Sequence, residues 1–179
     1  MCGIVGYVGT KEAAPLLLEG LKRLEYRGYD SAGIATLSNG SFEIHRAPGK
    51  LGNLIEKLSS IPAGRTGIAH TRWATHGRPT EENAHPHTDC KGRIVVAHNG
   101  IFENFSERKA ELAAAGHKFS SDTDTEVFAH EVEANFDGDL FRAVQKATKR
   151  LTGAYAVVVS SSAEPGVLVT ARSGPPIVL

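Results

Sequence analysis

Strand-sized apolar, β-branched runs gather at the two ends of this chain, and helical patterns lie between them. That ordering constrains the fold more than any other feature. Cys2–Val8 reads as a buried strand. Gly33–Leu37 and Ser41–Arg46 flank Ser38-Asn39-Gly40 and read as a hairpin around an Asn-Gly turn. Thr66–His70 and Arg93–His98 are strands, the second ending in Asn99-Gly100. Ala154–Ser160 and Val167–Ala171 form a second hairpin across Glu164-Pro165-Gly166, and Ile177-Val178-Leu179 begins a further apolar strand. Among these, Leu16, Leu17, Leu21 and Leu24 recur at helical spacing, and Leu51, Leu54, Ile55 and Leu58 mark a shorter helix. Asn104–Ala115 is helical and stops at Gly116. Ser120–Asp124 offers an N-cap for a helix through Glu126–Asn135, and Leu140–Leu151 gives another. Hairpins make antiparallel sheets, and amphipathic helices must bury their apolar stripe against them. The expected class is an α+β layered domain.

The 179 residues suffice for one domain with a substantial core. Lys+Arg and Asp+Glu both number 20, so the formal net charge is zero and no basic field points to nucleic acid or a membrane surface. The longest apolar runs are too short to span a bilayer. The start, Met1-Cys2-Gly3-Ile4-Val5-Gly6, lacks the basic region of a secretory signal, so a cytoplasmic location with reduced thiols is expected. Cys2 and Cys90 are too few for a disulfide framework, and Cys90, in a polar stretch, reads as an incidental loop thiol. The apolar ending at Leu179 reads as a cut, with this chain as the front part of something longer.

Cys2 carries the chemical reading. Removing Met1 would leave a thiol beside its own α-amine, a known nucleophile arrangement. That amine titrates at about 7.7–8.0, so near neutral pH it can accept the thiol proton, directly or through a water. The bland alternative is a small thiol packed in a strand. Other polar residues concentrate in Tyr26–Ser31, His70–Gly77, His98–Gly100 and Ser121–Glu126. Attack on an amide needs donors aimed at an oxyanion. Asn99 and Gly100 could offer a side-chain amide and a backbone N–H, or simply form a turn. Arg72 suits a carboxylate fork, or is a solvated surface residue. Asp124 could accept from an ammonium, or cap a helix. His70, His76, His85 and His87 match no metal-binding spacing, so no metal and no cofactor are expected.

Taken together, Met1–Gly6, Leu24–Gly33, His70–Gly77, Asn83–His87, His98–Gly100 and Ser121–Glu126 resemble the glutaminase domain of class II glutamine amidotransferases. Within them the likeness is to the hexosamine-forming branch, the glutamine–fructose-6-phosphate aminotransferases. The resemblance implies a four-layer αββα sandwich of the N-terminal-nucleophile hydrolase type over residues 2–179, incomplete at its C-terminal end. It implies attack by the Cys2 thiolate on the side-chain amide of L-glutamine, loss of ammonia, and hydrolysis of a γ-glutamyl thioester. Asn99 and Gly100 would form the oxyanion hole, while Arg27 and Gly28 line the nucleophile. Arg72 would hold the substrate carboxylate and Asp124 its ammonium. Trp73, Thr75 and His76 would belong to a loop closing over glutamine, and His85 is carried over as a further substrate-side residue. The implied partner is a sugar-phosphate isomerase module of the same full-length chain, absent here, in a homodimer. Three other readings remain: an amidotransferase feeding phosphoribosylamine synthesis, which the Tyr26–Gly33 string disfavours, a non-catalytic glutamine-binding or dimerisation module, and a zinc-binding histidine protein, for which no stoichiometric metal is expected.

Overall fold

The computed structural model describes residues 2–73 and 78–179; Thr75 and His76 lie outside the described residues. The chain runs β1 (Gly3–Val8), α1 (Ala13–Leu24), a single 3-10 turn at Glu25–Arg27, β2 (Ser31–Ser38), β3 (Ser41–Pro48), α2 (Leu51–Lys57), β4 (Thr66–Arg72), β5 (His87–Thr88), β6 (Ile94–Phe102), α3 (Phe105–Ala114), α4 (Asp124–Asn135), α5 (Leu140–Thr148), β7 (Gly153–Ser161) and β8 (Leu168–Ser173). Asn39 and Gly40 both take positive φ, 51° and 78°, as a two-residue type I′ turn requires, and they close the β2–β3 hairpin.

The strands form two sheets of four, ordered β1-β4-β2-β3 and β5-β6-β7-β8, and every pairing is antiparallel. Side chains alternate faces along a strand, and here both faces are covered. Ile34 of β2 packs with Leu17, Leu21, Leu51 and Leu54 beneath α1 and α2, while its neighbour Ala35 faces the other sheet. Val96, Val157 and Val159 pack with Phe128, Val132 and Leu140 under α4 and α5. Val95, Ala97 and Val158 turn the other way and meet Ala35 and Ile68 between the sheets. The layers are therefore helix, sheet, sheet, helix. Burial on both faces explains why the central strands read as unbroken apolar runs. No helix among the described residues is long and apolar enough to cross a membrane.

Three strand expectations need correction. β1 lies at the edge of its sheet with mostly half-exposed residues, because its outer side has no neighbour. β6 does not end at Asn99-Gly100 but continues to Phe102, paired residue by residue with β7. The Asn-Gly pair is thus mid-strand rather than a turn. Residues 177–179 form no strand, and Val178 and Leu179 are exposed.

Candidate active site

The site is assembled where one end of each sheet meets the other. Cys2 immediately precedes edge strand β1, whose Gly3 pairs with Thr71 of β4. That pairing sets the thiol against the residue that follows β4: the Trp73 backbone N–H donates to Cys2 Sγ at 3.2 Å, and the thiol faces the Trp73 carbonyl at 3.5 Å. Gly28 makes this approach possible. A Cβ there would stand 2.8 Å from the Arg72 carbonyl carbon and 3.0 Å from the Trp73 nitrogen, so any side chain would displace the peptide that holds the thiol. Burial raises the Cys2 pKa; the Trp73 N–H, the chain's amino terminus and Arg72 oppose that, and Asp30 adds to it. The resting thiol is therefore protonated at neutral pH and needs a base.

From the other sheet, β6 delivers Asn99, whose Nδ2 donates to the Cys2 carbonyl oxygen at 3.2 Å. The Asn99 amide is oriented from behind. His70 Nε2 lies 2.9 Å from Asn99 Oδ1 and 3.2 Å from the His98 carbonyl oxygen. Both partners are acceptors, so the ring carries its proton on Nε2, and the amide must turn its NH₂ toward Cys2. Burial lowers the His70 pKa to about 4, against the two hydrogen bonds, which keeps the ring neutral. Gly100 has φ of 130°, and a Cβ there would strike the Ala154 carbonyl and lie 2.7 Å from Tyr155 Cα. Glycine is demanded twice, by backbone conformation and by the close approach of β7.

Cys2, Arg27, Trp73, Asn99 and Gly100 share the wall of one open cavity of about 1190 Å³, with Leu24 and Ile177 among its apolar lining. Trp73 is half exposed and edge-packed against Tyr29, with ring centroids 5.4 Å apart. Arg72 and Asp124 are both buried and do not line that cavity among the described residues. Burial lowers the Arg72 pKa, and Asp124, Asp30 and Cys2, the last once deprotonated, oppose that, so the guanidinium stands within reach of all three. Asp124 opens α4, and its Oδ2 accepts the Phe102 N–H at 2.9 Å, tying the helix to the end of β6. The helix start itself is held by Glu126, which accepts the N–H groups of Ser120 and Ser121 at 2.8 and 2.7 Å. Asp124 therefore sits in the first turn without being the group that caps it.

His85 is placed differently from the expectation. It is buried one layer behind His70, stacked on it at a centroid distance of 4.1 Å. Its Nδ1 accepts the His98 N–H at 3.3 Å, and its Nε2 faces Thr125 Oγ1 at 3.4 Å. This is a support for the Asn99 orienting group. His87 likewise turns Nε2 to Thr123 Oγ1 at 3.0 Å. His70 Nε2, both nitrogens of His85 and His87 Nε2 each face separate protein atoms, and His70 Nδ1 is buried without a hydrogen-bond partner. The supports His70, His98, Thr125 and Asn83, whose Oδ1 accepts the Asp122 N–H at 2.9 Å, lie in segments that sequence reasoning singled out, but it gave none of them this positioning role. The signal that could have found them is the density of polar residues in strands otherwise made of Val, Ile and Ala.

A half-buried cysteine ahead of the first strand, facing a layered pair of antiparallel sheets, defines the N-terminal-nucleophile class of amidotransferase domain. Glutamine phosphoribosylpyrophosphate amidotransferase from B. subtilis superposes on 89% of this chain with a TM-score of 0.77 and 28% identity, using 35% of its own length. An allosteric regulatory enzyme of purine biosynthesis gives a TM-score of 0.78 and 29% identity over the same share of each chain. Residues 70–174 match the family model of the glutamine amidotransferase domain, and the chain belongs to that family. Glutamine–fructose-6-phosphate aminotransferase [isomerizing] of Symbiobacterium thermophilum is 53% identical over 180 residues, and that of Pyrococcus horikoshii 53% over 182. In both cases all of this chain is covered, and the chain spans about 30% of the length of these curated relatives.

Proposed function

We propose that residues 2–179 form a glutaminase domain in which Cys2, freed by removal of Met1, hydrolyses the side-chain amide of L-glutamine. The observation that carries this reading is the convergence of the Cys2 thiol, its Trp73 N–H partner and the His70-oriented Asn99 amide at one mouth between the sheets. The α-amine of Cys2 takes the thiol proton, directly or through a water, and the thiolate adds to the amide carbon. The Asn99 NH₂ and Gly100 N–H receive the developing oxyanion. The tetrahedral adduct collapses to a γ-glutamyl thioester as the proton passes to the leaving nitrogen and ammonia departs. Water then attacks the thioester, regenerating the thiol and giving glutamate.

Arg72 forks onto the substrate carboxylate and Asp124 accepts from its ammonium; opposite charges in mutual influence suit a zwitterionic amino acid. Arg27 and Gly28 shape the nucleophile's surroundings, and Trp73, Thr75 and His76 contact the bound substrate and the departing ammonia. His85 acts through His70 rather than on glutamine. The identity to full-length aminotransferases supports a further step: in a longer cytoplasmic, homodimeric enzyme the ammonia would pass to a sugar-phosphate isomerase module and convert fructose 6-phosphate to glucosamine 6-phosphate.

The test is covalent trapping. The Met1-processed chain, verified by intact mass, is treated with a diazoketone analogue of glutamine, and the adduct is mapped. Labelling at Cys2 is expected, together with loss of ammonia release in Cys2→Ala. Labelling at Cys90, no labelling, or turnover retained by Cys2→Ala overturns the assignment.

A further inference from the structure

Four potential ligand atoms outside the nucleophile site face one another at the other end of the second sheet. Cys90 lies in the turn between β5 and β6, His117 follows α3, and His130 and Glu133 are one turn apart on α4. His117 Nδ1 stands 3.2 Å from His130 Nδ1 and 3.0 Å from Glu133 Oε2. His130 Nδ1 is 3.3 Å from the same carboxylate oxygen. Cys90 Sγ is 3.7 Å from His117 Nδ1 and 3.5 Å from His130 Nδ1. All four atoms lie within 4.8 Å of one another.

These separations have a chemical meaning. Zinc binds nitrogen and oxygen at about 2.0–2.2 Å and thiolate sulfur at about 2.3 Å in a tetrahedron. The edges of such a tetrahedron are about 3.3 Å between nitrogen or oxygen ligands and about 3.6 Å from nitrogen to sulfur. Five of the six edges, 3.0–3.3 Å between nitrogen and oxygen and 3.5–3.7 Å from nitrogen to sulfur, fall around those values. Hydrogen bonding alone accounts poorly for the cluster, because two ring nitrogens, a carboxylate oxygen and a thiol compete for few protons. The surroundings are also those of a held ligand set. The Lys118 N–H donates to Cys90 Sγ at 3.5 Å, and the Cys90 N–H donates to Glu133 Oε2 at 3.3 Å. The remaining nitrogen of His130, Nε2, is buried without a hydrogen-bond partner and faces the buried Glu126 carboxylate at 3.8 Å. His130 is buried while Cys90 is exposed, so an ion can reach the cluster from solvent.

We propose that Cys90, His117, His130 and Glu133 bind one zinc(II) ion in a closed tetrahedral site. One thiolate and two imidazoles select zinc over magnesium or calcium, which prefer oxygen. Four protein ligands leave no position for a reacting water, so the ion is structural. It pins two turns to α4, the helix whose first residue is Asp124. It is remote from Cys2: from Asn99 back to Ile94, the start of β6, is already about 17 Å of strand. The site therefore stands whether or not Cys2 is a nucleophile.

The test loads the full chain, and separately its Cys2→Ala variant, with zinc(II) and then cobalt(II). One zinc per chain is expected in both after gel filtration. Cobalt should give tetrahedral ligand-field absorption with a thiolate-to-metal charge-transfer band. Cys90→Ser and His117→Ala, at exposed and half-buried positions, should fold normally by circular dichroism. Each should weaken zinc binding by more than the ~10–100-fold that losing an outer partner costs. Absence of stoichiometric zinc, unchanged affinity in both variants, loss of the ion on Cys2→Ala, or a cobalt spectrum without thiolate character overturns the proposal.

Discussion

Acidification from pH 7.5 to 5.5 should remove most of this domain's stability, and histidines rather than carboxylates should be responsible. His70, His85, His87 and His98 are buried together, in stacked or edge contact or through shared partners. Burial is the main cause of lowered pKa at all four. It brings His70 to about 4 and His87 and His98 to about 3, and holds His85 well below the ordinary range. Positive neighbours add to it: Arg72 beside His70, His85 and His87, and Arg46 beside His87, where Glu126 acts in the opposite direction. The unfolded chain takes up a proton at each ring near pH 6.5, whereas in the folded chain His70 resists until about pH 4, His87 and His98 until about 3, and His85 until well below the ordinary range. Stability is therefore full above pH 6.5 and lost as the pH falls below it. One unit below 6.5, each ring costs about 1.4 kcal/mol, and the four together about 5.6 kcal/mol. That is comparable to the whole stability of an ordinary domain, roughly 5–15 kcal/mol. Ordinary carboxylates titrate near 4 and contribute little above pH 5, so the window belongs to the rings. Urea unfolding at a series of pH values, with chelator present so that metal release does not intrude, should give a slope approaching four protons near pH 5.5. A loss under about 1 kcal/mol at constant m-value would refute the reasoning. So would native-state imidazole resonances of these rings titrating near 6.5.

Gly100→Ala should destabilise the fold by about 3 kcal/mol or more, since positive φ in that region costs roughly 1–3 kcal/mol and the Cβ also meets β7. For a chain of this size that lowers Tm by about 6–12 °C, and a shift under about 2 °C in a thermal melt would contradict it. Asn99→Ala should lower kcat for glutamine hydrolysis by about 10²–10³ with KM little changed. His70→Ala should also lower kcat, yet cost nothing further in the Asn99→Ala background, because it acts through that amide; additive losses would separate the two.

The layered class was legible because hairpin chemistry and periodicity are local: Asn39-Gly40 declares its own turn, and Leu17 and Leu21 declare their helix face. The run through Asn99-Gly100 was not. A strand can accept a glycine at φ of 130° only because β7 supplies pairing on that side, and no local pattern announces a partner more than fifty residues away. Cys2, Asn99 and Gly100 stood out because each residue type suggests a chemical purpose at its position. His70 was weighed only as a metal ligand, since its contact with another side chain is visible only once Asn99 Oδ1 lies 2.9 Å from its ring. The neighbours of Cys90 were hidden for the same reason: His117 comes from the segment after α3, and His130 and Glu133 from α4.

The thin seam of Ala35, Ile68, Val95, Ala97 and Val158 joins two half-sites that belong to separate sheets. One leaf carries the sulfur, the other the amide that answers it. The seam's small side chains fix the spacing between them, much as a gasket fixes the gap of a hinge. A single added methyl there, far from any reacting atom, would reach the chemistry as misalignment before it reached the fold as instability.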